Sequence, residues 1–313
     1  MKYRMLALLT AACLSLSGPA LAYAQNTDQT VETGTEQKPD ESQEQNTDES
    51  EIREVLAFGA DLSAEQKKTV MAAFGLDEAS LAGMDVITVT NAEEHEYLDS
   101  YLSASVIGTK ALSSVYVVKE DKGHGLDITT SNINYCTISM YKNALITAGL
   151  EDARVVVAGP SQISGTAALI GCAKAYSEMT GEQISEESLD AAADELVTTG
   201  EIGDAIGDAD EAAELIAYLK QYMLENDLND EESISAEVQK RAGELGYELT
   251  DDEVSQITSL LMKISKLDID VNALKEQAKD IFNALGLNGG STSGGFSGIV
   301  QSILSFFKGV FNR

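Results

Sequence analysis

The chain has 313 residues, with 21 Lys and Arg against 52 Asp and Glu, and a formal charge of −31. Phosphate backbones are bound by basic clusters, so this balance excludes a nucleic-acid partner. Two His and three Cys leave little for a structural zinc site, and nothing in the composition calls for a cofactor, while 43% apolar residues suffice for a core.

Lys2 and Arg4 precede an apolar stretch, Met5 to Leu16, which Gly18 and Pro19 break. Small residues follow at alternate positions, Ala20, Ala22 and Ala24. This layout predicts a secretory signal peptide over residues 1–24, cut after Ala22 or Ala24. The run is short for a membrane span. Cys13 lies inside it with Thr10, not Leu, three residues before, and reads as a Cys discarded with the signal. The expected location is therefore secreted or extracellular, with attachment to the outer face of the cell membrane as a variant. Residues 25–50 hold one apolar residue, Val31, and eight acids against one Lys. Such a segment buries too little to offset chain entropy and reads as a disordered acidic linker.

Residues 51–182 alternate between strand and helix patterns. Val55 to Phe58 reads as a strand, and Ser63 caps a helix to about Phe74 that Gly75 stops. Asp85 to Thr90 alternates and is rich in β-branched residues, so it is a second strand. Asn91 and Glu94 have near capping-box spacing and start a helix to about Leu102. Ser113 to Lys119 is a strand, with a turn at Asp121–Gly123 and Leu126 to Thr130 as its expected hairpin partner. Thr137 caps a helix to Ala148, and the continuous apolar run Arg154 to Ala158 reads as a central strand. Ser164 opens a helix rich in small residues through Ser177.

From 183 to 285 only helical spacing survives. Ser185, Ser233 or Ser235, and Thr250 are the candidate caps, and Gly181 and Gly246 are breaks. The fold class expected is α+β or α/β: an N-terminal mixed sheet with packed helices, an all-α bundle, and a C-terminal amphipathic helix. Residues 286–295 form a Gly/Ser linker. In 296–313 the apolar Phe296, Ile299, Val300, Ile303, Leu304, Phe306, Phe307, Val310 and Phe311 share an arc of about 160° on a helical wheel. A helix of this kind lies on a membrane, docks on its own domain or self-associates; membrane or envelope contact is the leading reading.

Several strings carry a family resemblance: FGADLS at 58–63, TVTNAEEHEYL at 88–98, MYKNALITAG at 140–149, SGTAAL at 164–169 and ELVTTG at 195–200. The chain resembles the YpuA-like family of secreted proteins of Gram-positive bacteria, a domain of unknown function (DUF1002), over roughly residues 51–285. The resemblance implies an exported protein and supplies no catalytic residues.

Three constellations remain. His95 with Asp99 four residues on is a candidate metal pair, set against a solvated helix start. The stretch 159–166, with Ser161, Ser164, Gly165 and Thr166, joins a strand to a helix and could hold a small ligand or anion; it lacks the P-loop Lys. Cys136 and Cys172 either form a disulfide or pack as buried thiols. The reading that results is an exported, non-enzymatic, envelope-associated protein whose C-terminal amphipathic helix contacts a membrane or a partner. The rival is a secreted ligand- or anion-binding protein or enzyme using 159–166.

Overall fold

The computed structural model describes residues 54–269. The expected signal peptide, acidic linker, Gly/Ser linker and terminal helix, with Phe296, Ile299, Val300, Ile303, Phe306, Phe307, Val310 and Phe311, lie outside the described residues. So do positions 270–285 of the helical region.

Five strands form one mixed sheet: β1 (Glu54–Gly59), β2 (Asp85–Val89), β3 (Ser114–Lys119), β4 (Leu126–Ile133) and β5 (Ala153–Ile163). Their order is β2-β1-β3-β5-β4. β1 runs parallel to β2, and β4 parallel to β5; β3 is antiparallel to both β1 and β5. Four strands therefore end at one edge of the sheet, where β3 begins. Period 2 divides their side chains between two faces. Val55, Ala57, Val115, Val117, Val155 and Val157 face one core. Leu56, Phe58, Tyr116 and Ala158 face another, which α1 (Ala64–Phe74) covers through Val70, Met71 and Phe74.

The first face is covered by α4 (Ile138–Thr147) and α5 (Ala167–Thr180). The small residues of α5 permit a close approach: a Cβ on Gly171 would come within 3.2 Å of Val115 and 3.4 Å of Val89. The same core takes in Leu189, Ala192, Leu196 and Val197 from α6 (Glu186–Ile206) and Ala213 from α7 (Ala209–Glu225), so it runs across residue 182. A further core joins α6 and α7 to α8 (Glu231–Leu245) and α9 (Asp251–Ile264). Among the described residues no helix is long and apolar enough to cross a membrane.

Most caps fall where the sequence puts them. Ser63, Thr137, Ser185 and Thr250 cap α1, α4, α6 and α9, and Gly75, Gly181 and Gly246 end α1, α5 and α8 in left-handed geometry. Asp230, rather than Ser233 or Ser235, caps α8, because its carboxylate accepts the Ser233 amide at 2.9 Å.

The expected β3–β4 hairpin does not form. β5 lies between the two strands, and the six-residue loop from Glu120 to Gly125 crosses over its start. Asp152, just before β5, holds that loop: its Oδ1 accepts the amides of Gly123 at 2.9 Å and Gly125 at 2.8 Å, and its carbonyl accepts Glu120 N–H at 2.7 Å. Strands two places apart are separated by only about 9.5 Å, so such a loop spans them.

One wholly buried ion pair ties α4, α6 and α7 together. Lys220 Nζ donates to Glu195 Oε1 at 2.7 Å, Thr147 Oγ1 at 2.9 Å and the Asn143 carbonyl at 3.1 Å. Thr147 also donates to Glu195, and Asn143 Nδ2 donates to the Ala213 carbonyl at 2.7 Å. α9 is fastened separately: Lys263 Nζ lies 2.8 Å from Asp194, 3.1 Å from Asp190 and 2.5 Å from the Tyr101 hydroxyl.

On α7 burial, with repulsion from Glu211, Asp210 and Asp208, pushes the Glu214 carboxyl up to about 7 from its ordinary 4.5. A carboxyl raised on folding stabilises the fold while protonated. That contribution is whole below pH 4.5 and is lost as pH rises through about 7. Glu214→Gln is therefore expected to stabilise the protein at pH 8, by about 1–2 kcal/mol after solvent screening. The gain should vanish towards pH 4.5 in urea titrations at matched ionic strength. A gap independent of pH would refute the assignment.

Candidate functional site

A pocket of about 470 Å³ lies at the sheet edge where β1, β2, β4 and β5 end. In α/β sheets with parallel strands this edge is where ligands commonly bind. Its walls come from three places: the segment 105–113 leading into β3, Asn134 after β4, and residues 162–166 at the end of β5. Glu94 completes the lining.

Glu94 reaches the pocket because its helix begins one residue earlier than the sequence suggests. Thr90 and Glu93, not Asn91 and Glu94, make the capping box of α2 (Asn91–Leu98). Thr90 is extended, its hydroxyl accepts the Glu93 amide at 3.3 Å, and Glu93 Oε2 accepts the Thr90 amide at 2.7 Å. Lys174 on α5 holds Glu93 at 2.6 Å and so fixes the helix start. One residue is a rotation of about 100° on a helix. The rotation turns Glu94 inward, where it is 2% exposed. Its Oε1 accepts the Thr166 hydroxyl at 2.9 Å and its Oε2 accepts Asn91 Nδ2 at 3.2 Å. Burial raises its pKa above the ordinary carboxylate value; the hydrogen bonds from Asn91 and Thr166 and the charge of His95 oppose this, and the Asp61 carboxylate adds to it.

Of the ligand residues expected from the sequence, Ser164, Gly165 and Thr166 line the pocket, and Ser161 does not. The stretch 159–166 is not one loop. Strand β5 continues to Ile163, paired with Ile133, and α5 begins at Ala167 without a side-chain cap from Thr166. Ser164 lies outside the helix; its carbonyl accepts the Cys136 amide at 3.1 Å. Ser161 is exposed on the strand. The Tyr141 hydroxyl, buried beneath, donates to the Gly165 carbonyl at 2.6 Å.

His95 and Asp99 do pair, with Nδ1 to Oδ1 at 2.6 Å, but the second ring nitrogen faces the Gly108 carbonyl at 3.2 Å. Both partners are acceptors, so the imidazolium satisfies both bonds, and the Asp99 hydrogen bond raises the His95 pKa. The pair fastens the pocket wall that follows α3 (Ala104–Ile107) and does not enter the pocket. Among the described residues no three His, Cys, Asp or Glu side chains are grouped to hold a metal.

Cys136 and Cys172 form no disulfide; both are free and buried. Burial pushes the Cys136 thiol up to about 12 and Cys172 higher still, so neither is a thiolate near neutral pH. They pack as small apolar residues. The pocket residues the sequence did not single out include Lys110, Asn134, Gln162, Ile163 and the other lining residues of 105–113, of which Ala111 is not one. The rival capping pair Thr90–Glu93 was the one sequence signal pointing to Glu94.

The family model described as "Protein of unknown function (DUF1002)" matches residues 58–281, and the chain belongs to this family. A relative in Bacillus subtilis (strain 168), "Uncharacterized protein YpuA", is 39% identical over 260 residues, covering 82% of this chain and 87% of the relative. No solved structure matches the chain.

Proposed function

We propose that this chain is an exported, envelope-associated protein that binds a small polar solute in the pocket at the sheet edge and has no reaction of its own. The observation that carries the binding half is a buried carboxyl, Glu94, lining a cavity of about 470 Å³. The volume is within the range of small-molecule sites, and the walls mix amide and hydroxyl groups with Val106, Ile107 and Leu112. The acid favours a cationic or hydrogen-donating group over an anion at this end. It already accepts the Thr166 hydroxyl at the start of α5, where an anion would otherwise sit.

The binding half is tested by scanning fluorimetry against a panel of small polar solutes. At least one is expected to raise Tm at millimolar concentration. Ser105→Trp, on the exposed rim, should abolish that rise and change the unliganded Tm by no more than about 2 °C. A rise that survives Ser105→Trp puts the solute elsewhere.

The export half is supported by the charged, apolar, small-residue layout of residues 1–24, and the envelope half by the apolar arc of Phe296 to Phe311. With residues 1–24 removed, the protein is expected to float with liposomes only while it keeps 296–313, at low and high salt alike. If neither form floats, membrane contact is wrong.

A further inference from the structure

The geometry points to a small zwitterion as the solute: a primary ammonium set against Glu94 and a carboxylate met by Lys110, as in a free amino acid or short peptide. This rests on the binding reading above and names its ligand class.

Two charged residues line the pocket among those described, and they have opposite sign: Glu94 and Lys110. Neither forms an ion pair with a described residue. The contrast with Glu195 is instructive. That acid is equally buried, and the protein supplies Lys220 to it at 2.7 Å. Glu94 receives only a neutral amide and a neutral hydroxyl, one to each oxygen. A carboxylate accepts about four hydrogen bonds, so acceptor capacity remains. The neighbouring His95 offsets the Glu94 charge only in part, since that ring is already bonded to Asp99 and the Gly108 carbonyl, and an ammonium from a ligand would bring a counter-charge into direct hydrogen-bond contact.

Lys110 is exposed. A plain amine would be repelled by it, and a plain carboxylate by Glu94; a zwitterion satisfies both. A zwitterion also carries no net charge into the field of a strongly acidic chain. In the same lining, Asn134 and Gln162 offer donors and acceptors suited to a peptide group, and the volume leaves room for more than one residue.

The test is NMR titration of the isotope-labelled chain from residue 25 on, read at Thr109, Ser164 and Thr166. The probes are glycine, L-alanine, glycylglycine, ethylamine, propionate and glycerol. The amino acids or the dipeptide are expected to shift these resonances with Kd at least tenfold below those of ethylamine and propionate. Glycine and L-alanine binding as well as glycylglycine would mark a free amino acid as the form; a tenfold preference for the dipeptide would mark a peptide. Glu94→Gln should weaken that binding tenfold or more. Lys110→Met, at an exposed position, should weaken it severalfold and bring ethylamine level with the zwitterions. Equal binding of ethylamine and glycylglycine to the unaltered protein overturns the zwitterion class, and so does undiminished binding by Lys110→Met. Response to glycerol alone overturns it while leaving the pocket a solute site. Silence of all three resonances towards every probe removes the pocket reading too.

Discussion

Lys220→Met is expected to destabilise the protein by about 3–5 kcal/mol, because it strands the buried Glu195 carboxylate without its counter-charge. Both side chains are fully buried. Burial drives the Lys220 pKa down and the Glu195 pKa up, and each partner's charge opposes the other's shift. The pair holds only while both members are present. For a domain of this size the loss corresponds to a fall in Tm on the order of 10 °C. Glu195→Gln should act in the same direction, since it removes the counter-charge and leaves the buried Lys220 ammonium with neutral acceptors alone. The informative variant is the double change, Lys220→Met with Glu195→Leu. A buried pair replaced by apolar groups of similar volume is often neutral, so part of the single-variant loss should return. What does not return is the orphaned Thr147 hydroxyl, about 1–3 kcal/mol. Urea unfolding of the four proteins closes the cycle. Single variants that lose less than 1 kcal/mol would mean that water reaches the pair.

The legibility of this fold follows the range of the interactions that decide it. Caps and strand patterns are local, so Ser63, Thr137, Ser185 and Thr250, and an interior strand at Arg154–Ala158, could be read directly from the chain, although the middle place in the sheet belongs to β3. Strand neighbours are not local. Nothing in Ser114–Lys119 or Leu126–Ile133 announces that β5 comes between them; that depends on Asp152 holding a loop 27 and 29 residues before it in the chain. The site was half legible for the same reason. Residues 164–166 stood out as the junction between an apolar strand and a small-residue helix. Glu94 was hidden by two capping pairs of equal spacing one residue apart, and Lys174, some 80 residues on, holds the pair that wins. The Glu195–Lys220 pair gave no signal, since a Glu and a Lys on two amphipathic helices ordinarily face water.

Gly165→Ala is expected to cost about 2–6 kcal/mol and to abolish solute binding, because two separate penalties fall on one methyl group. The backbone there has φ +94°, where a side chain is strained by about 1–3 kcal/mol. The new Cβ would also lie 2.3 Å from the Tyr141 hydroxyl and 2.7 Å from Ile133 Cγ2. Tyr141 is fully buried and its hydroxyl is engaged by the Gly165 carbonyl, so neither group can give way without disturbing the pocket floor. Overpacking of this kind adds about 1–3 kcal/mol. Gly149 supplies the control. Its φ is +91°, and a Cβ there meets nothing within 4 Å. Gly149→Ala should therefore show the backbone penalty alone and leave binding intact. The difference between the two variants measures the crowding at Gly165. Tyr141→Phe in the Gly165→Ala background should recover part of that difference by removing the hydroxyl, and Ile133 should keep the remainder. Equal losses at the two glycines would show that the floor beneath Ser164–Thr166 yields to a methyl group and gives the pocket no rigid base.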